Sequence, residues 1–187
     1  PMVHARSTAT DARWPTSRDP RTAVILNKNA KRVGPRVRRR VAAAAGTAEV
    51  FYTESLEQAA FVTRRVVDSG YGTVVTGGGD GTVINTIQQV LDVAEERGLR
   101  ERPRFAVLKL GTGNAIADFL GAGRYDDDLQ QLDEAPTRAL DLVRLADGRR
   151  TLFGGLGWDA VILDNYDQLK TAADRFALTR MIFKSAA

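Results

Sequence analysis

Apolar positions along this chain fall alternately into short runs and helical stripes. Ala23-Val24-Ile25-Leu26 is an uninterrupted apolar run of strand length, the pattern of a strand covered on both faces. A polar turn over residues 27–32 leads to a predicted helix from about Pro35 to Ala45, with Pro35 suited to a first turn and Gly46 as the stop. Glu49-Val50-Phe51-Tyr52-Thr53 reads as the second strand. Ser55-Leu56-Glu57-Gln58 has capping-box spacing, and Ala59, Ala60, Val62, Val66 and Val67 carry an apolar face on to Ser69. After a turn bracketed by Gly70 and Gly72, residues 73–76 form a third strand. The glycine-rich turn 77–82 then opens an amphipathic helix to about Arg97. Phe105-Ala106-Val107-Leu108 is the fourth strand, ending in Leu110-Gly111-Thr112-Gly113-Asn114 and a short helix through Leu120. This βαβαβαβα order predicts an α/β fold: a parallel sheet flanked by helices on both faces and joined by right-handed crossovers.

The rhythm changes near residue 137. Leu140, Leu142 and Val143 alternate through residues 139–145, and residues 150–157 read as an antiparallel partner across the Asp147-Gly148 turn. The predicted organisation is a flexible leader at 1–21, an α/β domain at 22–136, and at 137–187 the beginning of a β-rich second domain. That domain is expected to be incomplete, because its last residues look helical and the chain stops at Lys184-Ser185-Ala186-Ala187 with no helix-stop signal.

Composition narrows the chemistry by exclusion. Of the 187 residues, 43% are hydrophobic and 27% charged, as expected for a chain with a buried core. The absence of cysteine removes disulfide scaffolds, zinc-thiolate sites and cysteine nucleophiles, and the single histidine, His4, removes Ser-His-Asp catalysis and multi-histidine metal sites. No apolar run reaches the ~20 residues that span a bilayer. The net charge of +4 hides a basic arm over residues 1–46 and a mildly acidic remainder, with Arg36, Arg38, Arg39 and Arg40 in the densest segment. Such an arm suits nucleic acid or an anionic membrane surface. No aromatic residue interleaves with it for base stacking, so a nucleic-acid partner is not expected.

Two glycine-rich turns carry the remaining chemistry. Each follows a predicted strand and opens a helix, at the carboxyl end of the sheet where open α/β folds bind ligands. In Gly77-Gly78-Gly79-Asp80-Gly81-Thr82 the glycines let backbone amides converge on phosphate oxygens, and the following helix adds free N–H groups and its positive dipole end. Thr82 offers a hydroxyl. Asp80 offers a carboxylate for magnesium or a substrate hydroxyl, or alternatively a brace for the turn. Gly111-Thr112-Gly113-Asn114 offers a second set of amides. Neither turn fits the phosphate-loop or the dinucleotide fingerprint. The run Asp126-Asp127-Asp128 reads as an acid-rich helix start rather than a metal cluster.

These residues resemble the diacylglycerol kinase catalytic domain family, which shares its fold with sphingosine kinases and more distantly with NAD kinases. Gly78-Gly79-Asp80-Gly81-Thr82 matches the family's GGDGT signature. Five further stretches follow the family order: Asn27 to Lys31 for its N-P-x-[AS]-G segment, Tyr52-Thr53-Glu54 at the second strand end, Val83-Ile84-Asn85, Leu110 to Asn114 for L-G-T-x-N, and Phe153 to Ala160 for its G-x-G-x-D-A stretch. Lys28 and Lys31 replace the family's proline and glycine, and Ala115 and Ile116 its Asp-Phe pair.

The resemblance implies transfer of the ATP γ-phosphoryl group to a lipid hydroxyl, diacylglycerol-like, with ATP as substrate and magnesium as cofactor. It implies nucleotide binding by Asn27, Lys28, Asn29, Lys31, Thr53, Gly78, Gly79, Gly81, Thr82, Asn85, Gly111, Thr112, Gly113 and Asn114. Asp80 carries the catalytic and metal roles, and Asp159 lies near the domain junction. The family's general base comes from a late motif in the second domain, expected beyond Ala187. A cytoplasmic protein in peripheral contact with the inner face of a membrane is expected, with homodimerisation open. Two other readings stand beside this one: a non-catalytic nucleotide-binding module on the same fold, and a kinase whose acceptor is NAD or a sphingoid base.

Overall fold

The computed structural model describes residues 16–153. The chain divides into two compact units, Pro1–Leu152 and Phe153–Ala187, and the first contains the sheet and helices that build the site. Residues 154–160 with Asp159, and the expected helical end, lie outside the described residues.

Four strands, β1 (Thr22–Asn27), β2 (Glu49–Thr53), β3 (Thr73–Gly78) and β4 (Arg104–Lys109), form one parallel sheet in the order β2-β1-β3-β4. They alternate with helices α1 (Pro35–Ala44), α2 (Leu56–Asp68), α3 (Asp80–Glu96) and α4 (Ala115–Phe119), so each strand and helix predicted for residues 22–120 is present with its bounds moved by at most three residues. The apolar run of β1 is split by the pleat. Val24 and Leu26 join Val41, Val75, Leu108, Leu110 and Leu129 on one face, under α1 and a further helix α5 (Tyr125–Gln130). Ala23, Ile25 and Val74 meet Val66 of α2 on the other, where α2 and α3 pack side by side through Val67, Val90, Val93 and Ala94. Cover on both faces is why β1 reads as a continuous apolar run rather than an alternation.

Local chemistry explains the helix starts. Ser55 caps α2 by accepting from the Gln58 amide at 3.2 Å, while the Gln58 side chain accepts from the Glu54 amide at 2.8 Å. This is the predicted capping box with its return bond displaced by one residue. Helix α1 has Pro35 in its first turn, as expected, but no side-chain cap and no acidic residue there. Its stability comes from packing, chiefly the fully buried Val41. The three aspartates 126–128 do open a helix, α5. Asp126 is paired with Arg124 at 2.9 Å, and Asp128 accepts from the Gly123 amide at 3.0 Å.

Residues 16–21, which the sequence reading assigns to the leader, run along the amino end of the sheet. Thr16 bridges to Arg102, the Ser17 amide donates to the Arg102 carbonyl at 2.8 Å, and the Arg21 carbonyl accepts from Gly72 and Thr73 at 3.1 and 3.2 Å. The expected hairpin is present but much shorter than the alternation suggests: β5 (Val143–Arg144) pairs antiparallel with β6 (Arg150–Thr151). It docks on α3 rather than extending as a ladder. Leu142 and Leu152 pack against the Val83, Ile87, Leu91 and Ile116 cluster, and the buried Arg150 guanidinium reaches Asp92 at 2.9 Å and Glu95 at 2.6 Å.

Candidate active site

After β2 the chain crosses back over β1 to form β3, so the strand order reverses between β1 and β3. In an open parallel sheet a ligand crevice forms at such a reversal, outside the carboxyl ends of the strands. A cleft of about 400 Å³ lies there, lined by the ends of β1 and β2 and the first turns of α2 and α3. Six of the residues assigned to the nucleotide line it: Asn27, Asn29, Thr53, Gly81, Thr82 and Asn85.

Their side chains cross-brace the mouth. The Asn27 amide group donates to the Thr82 hydroxyl at 3.1 Å, tying β1 to the start of α3, and its oxygen accepts from the Asn29 backbone amide at 2.9 Å. Asn29 donates in turn to the Glu54 carbonyl at 2.5 Å. Thr53 is buried and donates to the Leu26 carbonyl at 3.4 Å. Gly78 leaves the room that the Thr82 side chain fills, since a Cβ there would stand 2.8 Å from its methyl carbon. Lys28 forms an ion pair with Glu54 at the rim. That hydrogen bond and charge hold the Glu54 carboxyl below its ordinary range. Lys31 is exposed in the turn before α1 and does not line the cleft.

The other assigned residues belong to a different arrangement. Gly111, Thr112, Gly113 and Asn114 lie outside the cleft lining. Asn114 is buried with a left-handed φ of 61°, and its side chain folds back on its own turn: it accepts from Gly111 N at 2.7 Å and donates to Gly111 O at 2.9 Å. Asp80 is also absent from the lining. Its carboxylate accepts from the backbone amides of Ala115 at 3.1 Å and Ile116 at 2.9 Å, so the brace is the role its surroundings support.

Ile25, Glu54, Ser55, Leu56, Ala59 and Thr86 line the cleft without having been assigned to it. Thr86 and Ala59 carried a signal, standing one turn after Thr82 and Ser55 on their helices. Among the described residues, no group of three or more His, Cys, Asp or Glu has the arrangement to hold a metal ion; Asp80 is engaged by two amides and Glu54 is paired with Lys28. The described residues thus form no all-protein cage for magnesium, which ordinarily takes one or two carboxylates together with substrate phosphates. No helix of the described residues is long and apolar enough to cross a membrane.

Comparison with known proteins agrees with this geometry. A relative from Chromohalobacter salexigens named "Probable lipid kinase YegS-like" is 33% identical over 101 residues, 54% of this chain and 28% of the relative. Diacylglycerol kinase eta of Mesocricetus auratus is 39% identical over 75 residues, 36% of this chain and 6% of that protein. The chain therefore spans under a third of the relatives' lengths. A crystal structure of a diacylglycerol kinase from Bacillus anthracis superposes with a TM-score of 0.55 at 20% identity, over 70% of this chain and 47% of the other, which establishes the shared fold. The model of the diacylglycerol kinase catalytic domain matches residues 21–145, the span that holds the sheet, the cleft and both glycine turns, and the chain belongs to that family.

Proposed function

We propose that this chain is the nucleotide-binding part of an ATP-dependent lipid kinase, which transfers the γ-phosphoryl group to the hydroxyl of a diacylglycerol-like lipid. The observation that carries this reading is the cleft at the strand-order reversal, where the first two turns of α3 supply Gly81, Thr82 and Asn85 opposite Asn27 and Thr53. Unpaired N–H groups of a helix start and the positive end of its dipole suit phosphate oxygens. The apolar side chains of Ile25, Leu56 and Ala59 give the same cleft a surface suited to a flat base. Positioning and charge stabilisation are most of what phosphoryl transfer asks of a protein. Magnesium enters as part of the nucleotide complex, held by phosphate oxygens, where it would neutralise charge.

The lipid acceptor sits in a bilayer, so contact with an anionic inner membrane face is part of the proposal. Exposed Arg36 and Arg39 on α1, with Lys31 and Arg32 before it, supply positive charge, and the turn that bears the two lysine and arginine side chains leaves the carboxyl end of β1, beside the cleft.

The test is transfer of labelled γ-phosphate by the natural full-length protein to diacylglycerol in mixed vesicles, with NAD and sphingoid bases as parallel acceptors. Labelling of diacylglycerol is the expected result. Labelling of NAD or a sphingoid base alone would reassign the acceptor, and nucleotide binding with no transfer to any acceptor would favour a non-catalytic module.

A further inference from the structure

Asp80 stands at the first position of α3, where an acidic side chain ordinarily interacts with the free amides of its own helix. It does not do so here. Helix α3 has no side-chain cap, and the Asp80 carboxylate instead reaches across to the next glycine turn, accepting from Ala115 N and Ile116 N. These are two of the first-turn amides that α4 cannot satisfy internally. The reason lies in Asn114. As the residue before α4 it would normally supply the cap, but its side chain is committed to both backbone groups of Gly111 and makes no cap bond. The cap of α4 is therefore supplied by a residue 35 positions earlier.

The backbones agree with the side chains. A Cβ on Gly111 would overlap Gly79 Cα and stand 2.9 Å from Gly79 N, and one on Gly113 would stand 3.2 Å from the Asp80 carboxylate. The second turn thus owes its glycines to the first turn, which fills the space beside it. Parallel pairing of β3 with β4, Gly78 opposite Lys109, sets the two turns side by side. Meanwhile Gly81, Thr82, Asn85 and Thr86 of the same helix line the cleft and Asp80 does not.

We propose that Asp80 is a positioning residue rather than the acceptor of the substrate proton: it latches the β3–α3 turn to α4, so that whatever fixes the first turn of α3 also fixes α4. Each carboxylate oxygen already accepts one backbone amide, which fixes the carboxylate toward α4 and away from the cleft lining. As a latch it couples occupancy of the cleft to the order of α4, whose Ile116 and Ala117 are buried. The coupling to nucleotide rests on the proposed function above, whereas the latch itself does not.

The experiment is hydrogen exchange on the natural full-length protein and its Asp80→Asn and Asp80→Ala variants, with and without a non-hydrolysable ATP analogue and magnesium. Steady-state kinetics on the same proteins accompany it. Without nucleotide, exchange at Ala115 and Ile116 rises about tenfold or more in Asp80→Ala, the loss of a charge-assisted bond, and less in Asp80→Asn, whose carbonyl still accepts one amide. With nucleotide, wild type gains protection over 77–86 and over 111–119, and Asp80→Ala over 77–86 only. Asp80→Asn keeps kcat within about tenfold of wild type, because a positioning carboxylate is partly replaced by an amide whereas a proton acceptor is not. Unchanged exchange at Ala115 and Ile116 in both variants overturns the latch, as does an equal thousandfold loss of kcat in both. Absence of nucleotide protection anywhere in wild type would instead overturn the nucleotide reading, with the exchange difference at Ala115 and Ile116 still deciding the latch. Should Asp80→Ala fail to fold, the Asn variant carries the same comparison.

Discussion

The two glycine-rich turns look alike in composition and in their strand-turn-helix setting, yet they meet different demands. The β3–α3 turn keeps one side toward the cleft, where Gly81 has nothing within 4 Å of a would-be Cβ and the Thr82 hydroxyl is linked to Asn27. The β4–α4 turn is closed on itself by the Asn114 side chain and pressed against the first turn, so Gly111 answers to the Gly79 backbone and Gly113 to the Asp80 carboxylate. Glycine in a strand-turn-helix unit thus has two separate uses, leaving a turn open toward a cleft and allowing two turns to touch. Composition does not distinguish them.

The largest effect that would break this contrast comes from filling the contact. Gly111→Ala places a methyl group into Gly79 and is expected to cost about 3 kcal/mol or more, whereas Gly81→Ala, at an open helical position, should change stability by less than about 1 kcal/mol and in the favourable direction. Urea unfolding of both variants measures this, and equal tolerance of the two would mean that the turns do not touch in solution.

Next comes Asn114. Replacement by alanine removes two buried hydrogen bonds and leaves a side chain at a left-handed φ, for an expected loss of about 2–3 kcal/mol. Asn114→Gly relieves the backbone cost alone and should recover about 1 kcal/mol of that loss. Neither variant should weaken ATP binding, measured calorimetrically under conditions where both remain folded, beyond about twofold. Thr82→Val inverts the pattern. It should leave stability within about 1 kcal/mol while reducing ATP affinity about fivefold, the value of one hydroxyl contact. A strong effect of Asn114 on affinity, or none of Thr82, would exchange the roles given to the two turns.

The smallest effect concerns the rim. Lys28 holds the Glu54 carboxyl below its ordinary range, so the pair contributes at pH values above that range and is lost as the pH falls through the lowered Glu54 value. Lys28→Met should return the Glu54 titration, followed by carboxyl NMR, toward an ordinary glutamate. The pair is exposed and screened, so unfolding stability should hardly respond. ATP present during the titration should shift it further only if the nucleotide phosphates draw Lys28 away from Glu54.

The contrast also marks how far the sequence could be read. Every element of the α/β unit through α4 was legible, because strand runs such as residues 23–26 and the α2 stripe ending at Val66 and Val67 express burial that repeats with local geometry. Ser55 and Gln58 announced their helix start for the same reason: both partners lie within one turn. The hairpin was legible as a turn, at Asp147-Gly148, but not in extent. Of the residues that alternate there, Leu142 packs on the cluster around α3 outside any strand, whereas Leu140 and Val143 are exposed and only Val143 pairs its backbone. Of the cleft lining, Asn27 and Thr53 were named through the family resemblance and Thr82 through its glycine-rich turn. Leu56 and Ile25 were not, since an apolar residue beside a cleft has the same pattern as one in the core.

What the sequence determined by itself was the alternation of strands and helices and the clustering of phosphate-suited groups at strand ends, since both depend on residues close together in the chain. The tertiary structure alone decided which glycine turn would face the cleft and which would serve as its support. Asp80 meets Ala115 and Ile116 only because parallel pairing of β3 with β4 brings two distant turns into register. A carboxylate goes to the nearest unsatisfied amides, and nothing local in the sequence says which helix will present them.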